Sequence, residues 1–178
     1  MFAFFAEPFA LLMKAGYLLL RFLKFITLML ALAALFAAYY YLPSPVQLRA
    51  DGRFSVSKEQ FFYGVGGFAI LLNLVLYFLS KSVYSLPLRA LPLPHRSYWL
   101  AHKESRLGLY QVLEDWVSTL AVLLNLFLAA GLYALVRTHQ TEGQSQFGWL
   151  PGLFGVVFGL WLLFLPIRLR MQRSELLG

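Results

Sequence analysis

The sequence predicts an all-α polytopic membrane protein: four transmembrane helices with a short external β-hairpin, forming one membrane domain over residues 1–178. Three observations predict this. The 178-residue chain is 60% hydrophobic and 13% charged, with a mean hydropathy of +0.68, whereas a soluble domain has roughly a quarter of its residues charged. The charges are also segregated, with no Asp, Glu, Lys or Arg in 25–48, 60–80, 116–136 or 143–167. Each gap holds a run close to the roughly 20 apolar residues that cross a bilayer. Finally, an Asp-Gly pair stands among alternating residues between the first two runs, which is a hairpin signal. A soluble helical bundle is excluded because its helices would still carry a polar face.

The spans are placed at about 25–42, 61–79, 116–136 and 147–167. Of the 15 Lys and Arg residues, 11 fall on one side of this arrangement. They are Lys14, Arg21 and Lys24 before the first span, then Lys81, Arg89, Arg96, Lys103 and Arg106 between the second and third, and Arg168, Arg170 and Arg173 after the fourth. Arg49, Arg53, Lys58 and Arg137 fall on the other side. Lys and Arg concentrate in cytoplasmic segments, so both termini are expected in the cytoplasm of a multi-pass inner-membrane protein. This distribution accounts for the net charge of +7 without nucleic acid. The absence of cysteine excludes disulfides, thiolate metal sites and cysteine nucleophiles.

Residues 1–24 are apolar with sparse cations. They either lie along the cytoplasmic interface, with Lys14, Arg21 and Lys24 reaching toward headgroups, or their latter half lengthens the first helix. The first span has the look of a signal sequence, but three more spans follow it, so a retained signal anchor is expected. Pro43 and Pro45 then stop the helix by lacking the amide it needs.

In "VQLRADGRFSV" a two-residue turn at Asp51-Gly52 would put the apolar residues on opposite faces. A three-residue loop, Ala50-Asp51-Gly52, pairs Leu48 with Phe54 and Val46 with Val56 and gathers all four on one face. Register follows the buried face, so the second is expected, resting on the membrane surface or on helix ends because an isolated hairpin is marginal in water. Next, Ser57 and Gln60 stand as a capping box, flanked by Val56 and Phe61 as a hydrophobic staple. Together these make a connector that sets how the second span enters.

The stretch "YLPSPVQLRADGRFSVSKEQFF" resembles the first external loop of the SdpI-like immunity-protein membrane domains and their uncharacterised relatives. Leu42, Pro43, Val46, Asp51, Gly52, Ser57 and Lys58 match their pattern over about twenty residues, together with the order of spans. The His that the family carries before an aromatic residue is missing; Leu48-Arg49 stand near its place. The resemblance implies a membrane-embedded interaction protein, and it brings no catalytic chemistry with it.

Tyr39, Tyr40, Tyr41, Tyr63, Tyr133 and Trp149 are expected in the outer interfacial belt and Tyr77, Trp116 and Trp161 toward the inner one. Asn73 and Asn125 are the notable polar residues at depth, in the near-identical contexts "AILLNLVL" and "AVLLNLFL". Each lies about 18 Å into its helix, and the two helices are antiparallel, so the amides differ in depth by only about 6 Å in a core of about 30 Å. They are expected to bond each other or a shared water. In the fourth span Gly148, Gly152, Gly155 and Gly159 share a stripe within about 60° of arc at about 100° per residue. Small residues at this spacing allow close helix approach, so the stripe is expected to face another helix, in this chain more readily than in a second protein.

The loop from Ser85 to Trp116 begins Pro-rich and turns helical near Trp99. His95 and His102 lie seven residues apart without a third ligand, so no metal site is expected, and His139 stands alone. Glu114 and Asp115 are expected to pair with cations of the loop. No GxSxG, HExxH or phosphate-cradling glycine loop is present. The expected function is therefore non-enzymatic and without cofactors: a small integral membrane protein, in contact with the bilayer, that acts by binding another membrane protein or larger membrane complex, immunity-like or as an accessory subunit. The alternative is a transporter or channel subunit, which would line a cavity with several polar side chains.

Cysteine labelling checks the topology on a background free of other thiols. A cysteine replacing His95 should resist an impermeant reagent added from outside and one replacing Asp51 should react; the reverse pattern would invert the chain.

Overall fold

The structure, a computed structural model, describes the backbone of residues 3–48, 54–87, 99, 103–140 and 148–177, with side chains at 16, 18–48, 54–87, 99, 103–140 and 148–169. Four helices dominate: α1 (Ala3–Tyr41), α2 (Lys58–Ser82), α3 (Lys103–Gln140) and α4 (Leu150–Leu177). Strands β1 (Val46–Gln47) and β2 (Ser55–Val56) lie between α1 and α2. All four helices are long and apolar enough to cross a membrane, and the protein is a multi-pass membrane protein. Every helix extends beyond its expected span. At 1.5 Å per residue, the 39 residues of α1 are about 58 Å long, nearly twice a hydrocarbon core. The N-terminal segment thus continues the first helix.

The loop after α1 has the register that its apolar pattern requires. Val46 pairs with Val56 and Gln47 with Ser55 in antiparallel fashion, and the Leu48 amide donates to the Phe54 carbonyl at 2.8 Å. Asp51 and Gly52 lie outside the described residues. Among the described residues of the hairpin, its base is buried. Val46 packs with Leu35, Ala38, Leu42, Phe61, Leu132 and Val136, with Val56 against the same cluster, while Leu48 and Phe54 are exposed. The hairpin therefore rests on helix ends through its two valines. The capping box is complete: the Gln60 amide donates to Ser57 Oγ at 3.1 Å and the Ser57 amide to Gln60 Oε1 at 3.3 Å. A cap of this kind contributes about 1 kcal/mol.

Helix α3 is the central element. Of its most apolar 18 residues 39% are buried inside the chain, against 6% for α4. It packs parallel to α1 and antiparallel to α2 and α4. Near the hairpin, Leu132 and Val136 meet Leu35 and Ala38 of α1. At mid-length, Val117 and Ala121 meet Leu76 of α2. At the far end, Leu109 and Val112 pack with Trp99 and with Leu169 of α4. α1 and α2 touch near the hairpin, where Phe62 lies 5.5 Å from the Phe36 ring and 4.9 Å from that of Tyr39.

The glycine stripe is where the structure departs from expectation. A Cβ at Gly152, Gly155 or Gly159 would meet nothing within 4 Å, and Gly148, Gly152 and Gly155 are exposed. Among the described residues, Gly152, Gly155 and Gly159 make no close helix contact. α4 instead packs through Phe154, Phe158, Trp161 and Leu169, a face about 110° around the helix. Phe154 meets Phe127 of α3 at 4.0 Å between ring centroids, and Trp161 meets Trp116 at 4.0 Å. Flat rings provide contact area and hydrogen bonds that the smooth glycine face lacks.

A close approach does occur at Gly66 of α2, where a Cβ would come 3.2 Å from Cδ2 of Leu35. A Cβ at Gly67 would meet nothing within 4 Å. Overpacking costs about 1–3 kcal/mol, more than the roughly 1 kcal/mol that a better helix former returns. Gly66→Leu should lower the unfolding temperature in detergent, and Gly67→Leu should leave it unchanged or raise it. Equal behaviour of the two variants would show that α1 and α2 do not meet there.

Candidate functional site

Polar side chains gather in two layers along α3. The first is the amide pair. Asn73 Nδ2 donates to Asn125 Oδ1 at 2.8 Å, and Asn125 Nδ2 donates to Asn73 Oδ1 at 3.0 Å. Asn73 Nδ2 also donates to the Ala69 carbonyl, at 2.9 Å. The antiparallel course of α2 and α3 puts the two amides level, as the depth arithmetic requires. Asn125 is fully buried and Asn73 half-buried. Each carbonyl is occupied by the other residue, so the pair ties helices together and has little capacity left for a solute. Bonds of this kind contribute about 0.6–2 kcal/mol in a membrane.

The second layer lies seven to eleven residues away along α3, at the end opposite the hairpin. Its centre is Glu114, buried to 7% exposure. Lys81 Nζ donates to its Oε1 at 2.8 Å and Tyr84 Oη to its Oε2 at 2.6 Å. Lys81 closes α2, and Tyr84 sits on the 3-10 turn Val83–Ser85 that follows. That turn swings the phenol back toward α3. Its neighbour Asp115 points about 100° away around the helix, and Arg168 Nη2 of α4 donates to its Oδ2 at 3.3 Å. The expected pairing of the two carboxylates with cations thus holds, but one partner comes from the second span's end and the other from α4, neither from within the loop. Both ion pairs are partly open to solvent: the side chains of Lys81 and Arg168 keep 44% and 37% of their surface. From α1, Lys24 Nζ donates to Ser118 Oγ at 3.5 Å. Ser118 lies one turn beyond Glu114, on the same face of α3.

Trp116 and Trp161 brace this layer. Their indoles stack at 4.0 Å with 7° between planes. Each Nε1 donates to the backbone carbonyl of the other residue at 3.1 Å. They form a clasp between α3 and α4 rather than an interfacial belt facing lipid. Tyr39, Tyr40, Tyr41, Tyr63, Tyr77, Tyr133 and Trp149 are exposed, as a belt requires.

A cavity of about 60 Å3 between α1, α2 and α3 is lined by Arg21, Lys24, Ser80, Lys81, Glu114 and Ser118, among others. A wider space of about 320 Å3 shares Arg21, Lys24 and Tyr77 with it and reaches Asn73 along Phe25, Leu28 and Ala121. The remaining candidates are scattered. His139 Nδ1 lies 2.9 Å from the Leu135 carbonyl of its own helix. Glu104 is exposed. His95 and His102 lie outside the described residues. Sequence reasoning missed Lys24, Tyr84 and Arg168 as members of one cluster, because they come from three elements and no spacing links them.

Comparisons of the chain with protein-family models, with curated proteins and with solved structures find no match.

The amide pair makes a direct prediction. Asn73→Leu or Asn125→Leu leaves the other amide without its partner, and the second substitution removes that orphan. The double variant should therefore unfold in detergent at nearly the same point as the worse single one. Additive losses would show that the two residues act independently.

Proposed function

We propose that this protein is a non-enzymatic integral membrane protein that acts by binding another membrane protein, immunity-like or as an accessory subunit. The observation that carries this reading is the mutual pairing of its internal polar groups. Asn73 bonds Asn125, Glu114 bonds Lys81 and Tyr84, and Asp115 bonds Arg168. A transporter or channel site would present such groups to a water-filled path. The outer helices supply the surface instead: α2 and α4 have 11% and 6% of their most apolar stretches buried within the chain. The resemblance of residues 41–62 to the SdpI-like external loop points the same way. On this reading both termini and the Glu114 cluster face the cytoplasm, as the cation distribution favours, and the hairpin faces outward in an inner membrane. The glycine stripe gives no support through packing within the chain, and it now makes a sharper test of a partner.

Gentle purification of the native protein followed by mass spectrometry should recover a second membrane protein in near-stoichiometric amount. Gly155→Leu adds a side chain where the chain itself has no contact. It should leave the isolated protein's unfolding temperature unchanged and, if the partner sits on α4, reduce recovery severalfold. Recovery of the chain alone under conditions that preserve other membrane complexes would overturn the proposal.

A further inference from the structure

We infer that the groove along α3 between α1 and α4 binds one zwitterionic aminophospholipid, its ammonium at Asp115, its phosphate at Arg168 and an acyl chain along Leu123, Val157 and Leu160. The groove has a volume of about 560 Å3, and Leu19 and Leu23 of α1 form its opposite wall. Asp115 immediately precedes the charge-free run of α3, and Arg168 immediately follows that of α4. From these two residues the lining continues along α3 to Leu123 and along α4 to Val157, about 12 and 16 Å at 1.5 Å per residue. Half of a hydrocarbon core is about 15 Å. A space that is charged at its mouth and apolar for the depth of one leaflet has the dimensions of a lipid.

The charges select the headgroup. Among the described residues, the charged groups lining the groove are Asp115 and Arg168, one of each sign, so a lipid of net charge would be opposed by one of them. Glu114 points away toward Lys81 and Tyr84, and Arg21 and Lys24 line the separate cavity between α1, α2 and α3. Arg168 Nη2 donates to Asp115 Oδ2 at 3.3 Å. This bond uses one of the five guanidinium donors and one of the two carboxylate oxygens. Among the described residues no donor reaches Asp115 Oδ1. The Arg168 guanidinium lies 5.9 Å from the centroid of the Phe164 ring, which itself lines the groove, and both members of the ion pair are partly open, at 37% and 23% of their side-chain surface. A lipid ammonium donates to a carboxylate and a lipid phosphate accepts from a guanidinium, both in charge-assisted bonds. The two residues are adjacent, as are the two charges of a zwitterionic headgroup, so one lipid can meet both. The groove lies about 165° around α4 from the glycine stripe, so a partner seated on the stripe leaves it open.

The test uses the full chain in detergent, stripped of lipid, with phosphatidylethanolamine, phosphatidylcholine or phosphatidylglycerol added, read by native mass spectrometry and by thermal unfolding. Phosphatidylethanolamine should be retained severalfold better than either of the others and should raise the unfolding temperature most. Phosphatidylcholine carries the same charges, but its quaternary ammonium has no N–H to donate to Asp115; phosphatidylglycerol has no cation. Asp115→Asn should remove the preference for phosphatidylethanolamine, and Glu104→Gln, at an exposed acid of the same helix, should keep it. Leu160→Trp fills the groove with the ion pair intact and should lower retention severalfold, whereas Gly155→Leu, on the other side of α4, should not. Should Asp115→Asn fail to fold, the Leu160 and Gly155 comparison carries the test. Equal retention of phosphatidylethanolamine and either other lipid by the parent would overturn the inference. An unchanged preference in Asp115→Asn, or unchanged retention in Leu160→Trp, would also overturn it.

Discussion

A polar side chain carried into or against a bilayer must find its partner inside the protein, because lipid offers none. Helix α3 bears Glu114, Asp115, Trp116, Ser118 and Asn125, and each reaches a partner on a different neighbour or at a different height. Glu114 and Asn125 bind α2, Asp115 and Trp116 bind α4, and Ser118 accepts from α1. Apolar contact between helices is weakly directional in lipid, where the tails are as apolar as leucine. These few bonds therefore set rotation and height, and the apolar clusters fill in around them. The three helices around α3 need little from one another, which is why α1 and α2 meet at one end and leave a groove at the other.

Much of this was legible in the sequence where the signal was local or followed from length. The spans follow from runs without charge. The hairpin register follows from Val46, Leu48, Phe54 and Val56 needing one face, and Ser57 and Gln60 are three residues apart, so their cap involves no distant partner. The asparagine pair was legible because antiparallel helices of known rise fix relative depth. The glycine stripe shows where such reasoning stops. Angular clustering says that Gly148, Gly152, Gly155 and Gly159 share a face, but not which way the face turns. That was decided by Trp116, whose indole needs an acceptor and finds the Trp161 carbonyl. Once the two indoles stack, the aromatic side of α4 is turned inward and the glycine side outward.

The clasp also shows why single residue types mislead in membrane chains. Tryptophan near the end of a span is usually an interfacial anchor, and Tyr77 and Trp149 behave that way. Trp116 and Trp161 sit at similar heights, yet they face each other. The difference is company. Each lies seven residues or fewer from an ion-pair member, Trp116 beside Asp115 and Trp161 before Arg168, so the pairing of Asp115 with Arg168 already holds α3 and α4 in the register that stacks the rings.

The charged layer then divides into parts with different consequences. Glu114 is buried and receives two donors, and a buried charge removed from its partners is strongly destabilising. That demand holds α2, its trailing turn and α3 as one unit. Asp115 does the same for α4. α1 joins the layer differently: Lys24 donates to the neutral Ser118 hydroxyl at 3.5 Å, a longer contact than the ion pairs of Glu114 and Asp115 at 2.8 and 3.3 Å. The helix is therefore held along α3 chiefly by the apolar face of Leu35 and Ala38 against Leu132 and Val136, while α2 and α4 are fixed in height by charge.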